Sequence, residues 1–184
     1  MDYNKVVGLN DTHELQEFLS EGLNISIPLY HNNPNRAVRI NLEDLQDDFA
    51  GSLVKNIMSA LFLGKDFWIC QFGSASGDAL LTNGFLLESL PISIIEYDFS
   101  SINSEWYEYP YNYIACVKIP FQMFNMDAYI KYVFRHSFLS NTLFLIDTIG
   151  KCAVSTYDRR GMDIATLDCA TKEKIQVRFE KYLM

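Results

Sequence analysis

Positive charge is what this chain has least of: 15 lysines and arginines stand against 23 aspartates and glutamates, a net charge of -8. Nucleic-acid affinity comes largely from counterions displaced by Lys and Arg, so this balance argues against a nucleic-acid partner and for a basic or amphipathic one. Cysteine is sparse. Cys70, Cys116, Cys152 and Cys169 are separated by 46, 36 and 17 residues, with no C-x-x-C and no histidine at zinc-finger spacing, which excludes a metal framework. Long apolar runs are missing as well: the longest, Leu53 to Leu63, is broken by Lys55 and Asn56, whereas a membrane span needs about 20 apolar residues. The first residues, MDYNKVVGLNDTHEL, show no basic segment followed by an apolar one, so no secretory signal is read there. The expectation is a cytoplasmic protein with reduced thiols and no membrane association.

What is present is apolar and aromatic bulk. Of 184 residues 49% are hydrophobic and 14% aromatic, enough for one globular domain over 1–184 whose core needs no staple. Asp11 and Glu14 form a D-x-x-E capping signal ahead of the stripe Leu15, Phe18, Leu19, Leu23, so a first helix is predicted over about 12–22. Short strands are predicted at 25–29 and 37–40, in a stretch punctuated by Pro28 and Pro34. Phe49, Leu53, Ile57 and Leu61 recur every four residues and predict a helix over about 43–63, closed by Gly64. Strands follow at 67–72, 92–97 and 113–119, then a helix over about 126–138. Three apolar runs at 143–147, 151–157 and 162–167 are joined by turns short enough to force antiparallel hairpins, the second ending in Gly161 with positive φ. Ile175, Phe179, Tyr182 and Leu183 mark a closing helix. The order predicts an α+β fold: a mostly antiparallel sheet with a C-terminal three-stranded meander and one layer of helices packed on it.

Catalytic motifs fail at their central positions. Gly73-Ser74-Ala75-Ser76-Gly77 follows a strand like a nucleophile elbow, but Ala75 stands where the serine belongs. His13-Glu14-Leu15-Gln16-Glu17 misses H-E-x-x-H at the second ligand, and Glu14 is already accounted for by capping. No phosphate-binding glycine motif is present. The expectation is a non-enzyme with no cofactor and no metal. The alternative is a metal-dependent hydrolase assembled from Asp147, Tyr157, Asp158, Asp163 and the histidines, which needs those carboxylates to converge. A non-catalytic adaptor using an exposed apolar helix face is a third reading.

Charge placement says more. Met1 to Pro110 holds 16 acidic and 5 basic residues, a net of -11, whereas Tyr111 to Met184 holds 7 acidic and 10 basic, a net of +3. Glu43, Asp44, Asp47 and Asp48 gather at the head of the second long helix, where carboxylates also complement the helix dipole. Glu96, Asp98, Glu105 and Glu108 surround Trp106, Tyr107 and Tyr109, joining long-range attraction for a cationic partner to rigid aromatic anchors. The same rings could instead pack on the sheet.

The final stretch from Leu143 carries Tyr157, Asp158, Arg160, Gly161, Asp163 and Ile164. It resembles the end of the DUF3885-like family of small bacterial proteins, which close a strand on Y-D-D-R-G-x-D-hydrophobic before a final helix. Arg159 replaces the second acid, and the likeness covers about 40 residues. Members of that family are often immunity proteins encoded beside polymorphic or contact-dependent toxins. The resemblance implies binding to a cognate toxin domain, with the acidic and aromatic residues meeting a basic face, as a monomer in a 1:1 complex. On turn chemistry alone, Asp158 and Gly161 suit a tight hairpin and Asp163 can pair with Arg159 or Arg160.

Overall fold

The computed structural model describes residues 12–25, 28–76, 84–88, 90–99, 112–135, 143–158 and 160–184, without the side chains of Tyr157 and Asp158. The elements run α1 (His13–Ser20), α2 (Leu29–Asn32), β1 (Ala37–Asn41), α3 (Asp47–Phe62), β2 (Asp66–Phe72), β3 (Ser93–Glu96) and β4 (Tyr113–Pro120). After a 3-10 turn come α4 (Met126–Arg135), β5 (Leu143–Asp147), β6 (Cys152–Asp158), β7 (Gly161–Thr166) and α5 (Cys169–Phe179). The strands form one sheet in the order β1-β7-β6-β5-β2-β4-β3, with every neighbouring pair antiparallel. The fold is α+β with helices packed on the sheet, and the expected meander is its β5-β6-β7 section.

One expectation is corrected: helices cover both faces of the sheet, not one. Phe67 and Ile69 of β2 point to the side where α3, α4 and α5 contribute Val54, Ile57, Phe62, Tyr129, Val133 and Phe179. Trp68, Cys70 and Phe72 point to the other, where Leu15, Phe18, Leu19 and Leu29 of α1 and α2 close over them. Alternation of this kind in a continuous apolar run is what burial on both faces requires.

Boundaries shift for local reasons. Of the strand predicted at 25–29, residues 26 and 27 lie outside the described residues and Ile25 and Pro28 are in no strand; Leu29–Asn32 is a single helical turn after Pro28, fixed by Asn33, whose side-chain amide donates to the carbonyls of Asn24 and Leu29. α3 begins at Asp47 because Asn41 Oδ1 accepts the Glu43 N–H at 2.9 Å, holding Glu43–Gln46 in a turn. Gly161 does not take positive φ. Among the described residues of these hairpins the left-handed one is Lys151, at φ 52°, between β5 and β6. Gly161 instead lies close to the neighbouring strand: a Cβ there would lie 3.3 Å from the Ile40 carbonyl oxygen, a tight contact that glycine avoids.

Candidate partner-binding surfaces

The first acidic cluster becomes part of a cleft. Asp47 and Asp48 open α3, while Glu43 and Asp44 lie in the exposed turn before it. Gly51 of α3 faces α4; a Cβ there would lie in ordinary contact, 3.6 Å from Ile130 Cγ2. Between the helices a cleft of about 450 Å3 is lined by Asp47, Asp48, Ser52, Lys55, Asp127, Ile130 and Phe134. Asp127 Oδ1 accepts from Lys55 Nζ at 2.6 Å, and Lys55 is the one cation beside three carboxylates among the described lining residues. Phe49, 48% exposed, stands beside them with its ring 6.2 Å from that of Tyr182. Asp127, Ile130, Phe134 and Phe49 were not picked out as site residues from sequence. Asp127 is itself a first-turn acid, and that was the available signal.

The second cluster lies elsewhere. Glu96 ends β3 at one edge of the sheet; Glu96 and Asp98 are exposed, while Tyr97 is half-buried and Phe99 buried. The Tyr97 hydroxyl donates to the Leu19 carbonyl at 3.3 Å, and burial, aided by the charge of Asp98, raises its pKa. Glu43 and Asp44 follow β1, the opposite edge, six strand spacings or about 29 Å away. A standard interface of about 800 Å2 per partner would have to span the sheet's width to include both. Glu105, Trp106, Tyr107, Glu108 and Tyr109 lie outside the described residues.

Asp163 of the family-like motif is buried, and its ion-pair partner among the described residues is Arg39. Across the β1–β7 register it faces Arg39, whose Nε and Nη2 donate to its two oxygens at 2.7 and 3.1 Å. It also accepts the Tyr30 N–H at 2.9 Å, which ties α2 to the sheet. Burial pushes this carboxyl above the usual aspartate range, with Arg39 pulling against it. Arg160 is exposed, and its carbonyl accepts the Leu42 N–H. Arg159 lies outside the described residues, as do the expected side-chain roles of Tyr157 and Asp158.

The described bonds of Glu14 are long-range. Asp11 is outside the described residues and Thr12 makes no side-chain cap. The Glu14 carboxylate instead accepts from Lys118 Nζ at 2.7 Å, Trp68 Nε1 at 2.7 Å and Thr148 Oγ1 at 3.2 Å, fastening α1 to β2 and β4. Partial burial works to raise its pKa, but these hydrogen bonds and the Lys118 charge outweigh it and lower the pKa below the ordinary glutamate value.

The hydrolase constellation does not assemble around its two described carboxylates. Asp147 lies on the α3–α5 side, bound to Lys65 Nζ at 2.7 Å, whereas Asp163 lies on the α1–α2 side, bound to Arg39. His13 and His31 are exposed, and His136 is outside the described residues. Among the described residues no three His, Cys, Asp or Glu side chains gather in a way that could hold a metal ion. No helix among the described residues is long and apolar enough to cross a membrane. Comparison with protein families, curated proteins and solved structures finds no match for this chain.

Proposed function

We propose that this chain is a non-catalytic, immunity-type protein of the cytoplasm that binds a cognate toxin domain through the toxin's basic face. The observation that carries the reading is the α3–α4 cleft, where Asp47, Asp48 and Asp127 surround an apolar wall of Ile130 and Phe134. Long-range attraction and short-range apolar contact are offered at one place, which suits a cationic protein surface and repels nucleic acid. A toxin that must attract phosphates to its own active site carries such a surface, so an acidic inhibitor competes for it. Glu96, Asp98, Glu105, Trp106, Tyr107, Glu108 and Tyr109 form a second arm of the same proposal. The free thiols Cys70, Cys116, Cys152 and Cys169 accord with a reducing compartment.

Co-expression with the toxin domain encoded beside its gene tests the reading. Protection of the cells and recovery of a 1:1 complex are expected. Asp47→Lys combined with Asp48→Lys should slow association by about tenfold or more at low salt, an effect that shrinks as salt is added. Glu105→Lys with Glu108→Lys measures the second arm in the same assay. Absence of both protection and complex, or association rates untouched by either pair at low salt, overturns the proposal.

A further inference from the structure

The far end of α3 has the opposite electrostatic character. A pocket of about 230 Å3 opens between the end of α3, the β5–β6 turn and α5. Its floor is apolar: Leu61, Cys152, Ile175 and Phe179 are all buried. Burial holds the Cys152 thiol protonated, its pKa pushed up to about 12, so the floor carries no charge. Its rim is cationic, with Lys65, Lys174 and Arg178 among the lining residues and no carboxylate. In a chain with a net charge of -8, this concentration is against the overall trend.

The three cations differ in how they are held. Lys65 is placed by Asp147, which is 1% exposed and also accepts the Gly150 N–H at 2.7 Å. A Cβ at Gly150 would collide with that carboxylate, so glycine there preserves the arrangement. Lys174 and Arg178, one turn apart on α5, form no ion pair among the described residues, and Arg178 lies 5.5 Å from the Phe179 ring centroid. Asp168, on which the Lys174 charge acts, has its oxygens engaged by the α5 cap on Ala170 and Thr171. Two exposed cations with no ion pair among the described residues therefore stand over an apolar floor.

We propose that this pocket binds a small organic anion, a carboxylate or phosphate headgroup on a short apolar body. The volume sets the size: pockets for drug-sized ligands hold about 300–1,000 Å3, so the occupant is smaller than those. The headgroup meets Lys174 and Arg178, with Lys65 at the α3 side, and the apolar body rests on Ile175, Phe179 and Leu61. The site shares no residue with the acidic cleft, so it stands or falls separately from the toxin reading.

Amide-resolved NMR titration of the full chain tests this, with phenyl phosphate and benzoate as probes beside benzyl alcohol and inorganic phosphate. At least one aromatic anion is expected to give saturable shifts at Gly150, Thr171 and Ile175, the tighter of the two naming the headgroup. Benzyl alcohol, lacking charge, and inorganic phosphate, lacking an apolar body, should each bind about tenfold more weakly or worse. Lys174→Glu with Arg178→Glu should weaken the anion by about tenfold or more. Both side chains are exposed, and an otherwise unchanged amide spectrum verifies the fold of this variant. No saturable shift with either anion, equal binding of benzyl alcohol, or undiminished affinity in the double variant overturns the site.

Discussion

The two faces of this sheet are closed by different chemistry. On the α3–α5 side, a long helix and two shorter ones cover a broad apolar surface rich in Phe, Ile and Val. On the other side, α1 has 8 residues and α2 has 4, lengths at which a helix has little stability of its own. That thin layer is pinned by two polar nodes, Asp163 with Arg39 and Tyr30, and Glu14 with Lys118, Trp68 and Thr148. A large apolar layer settles by area, while a small one needs directional bonds to fix where it lies. Carboxylates therefore pin the thin layer on one face, while on the other Asp147 holds Lys65 and the β5–β6 turn, and Asp47, Asp48 and Asp127 line an open cleft.

The strongest way to break this contrast is Asp163→Ala. It takes the carboxylate away from Arg39, whose side chain is only 14% exposed, and strands the Tyr30 N–H. Removing one member of a buried pair costs about 3–5 kcal/mol, so a large fall in the urea midpoint is expected. Replacing both members, Asp163→Leu with Arg39→Met, removes the stranded charge and should recover most of the loss. If the double variant unfolds as easily as the single one, the node is more than an ion pair. Hydrogen exchange should show α2 opening in Asp163→Ala before the helices of the other face.

Glu14→Gln is the smaller break on the same face. The carboxylate is 37% exposed, so solvent screening limits its worth to about 1 kcal/mol at neutral pH. Its folded pKa is lowered, so its contribution is full above the unfolded value of about 4.3 and is lost as pH falls through the lower folded value. The stability difference between wild type and Glu14→Gln should therefore shrink in acid. A difference that stays constant down to that range would mean that the amide fails for reasons of shape.

The residues behind these nodes show what sequence can and cannot carry. Strands β2, β4 and β5 were legible because Phe67–Phe72, Ile114–Ile119 and Leu143–Ile146 are dense apolar runs. The same density also signalled burial on both faces, which a single helix layer could not satisfy. Arg39 was beyond reach as the partner of Asp163 because 124 positions separate them, and only the β1–β7 register places them opposite each other. Glu14 matched a local capping pattern, yet its bonds go to residues on three strand ends far along the chain. The acidic cluster at Asp47 and Asp48 was visible, but the cleft depends on α4 lying against Gly51, which the spacing of acids does not record.

Single neutralisations in the cleft, none worth more than Glu14, sharpen the comparison most when combined. Asp47→Asn with Asp48→Asn removes charges that complement the α3 dipole, worth about 0.3–1 kcal/mol each at an exposed helix start. Asp127→Asn frees Lys55, but both side chains are well exposed, at 82% and 48%, and such pairs contribute between about 0 and 1 kcal/mol. The three neutralisations together should therefore lower the urea midpoint less than Asp163→Ala does alone. A loss as large as that of Asp163→Ala would make the cleft carboxylates structural like those of the opposite face. A small loss, measured beside the association rate with the toxin domain, separates carboxylates that fold the chain from carboxylates that remain available to a partner.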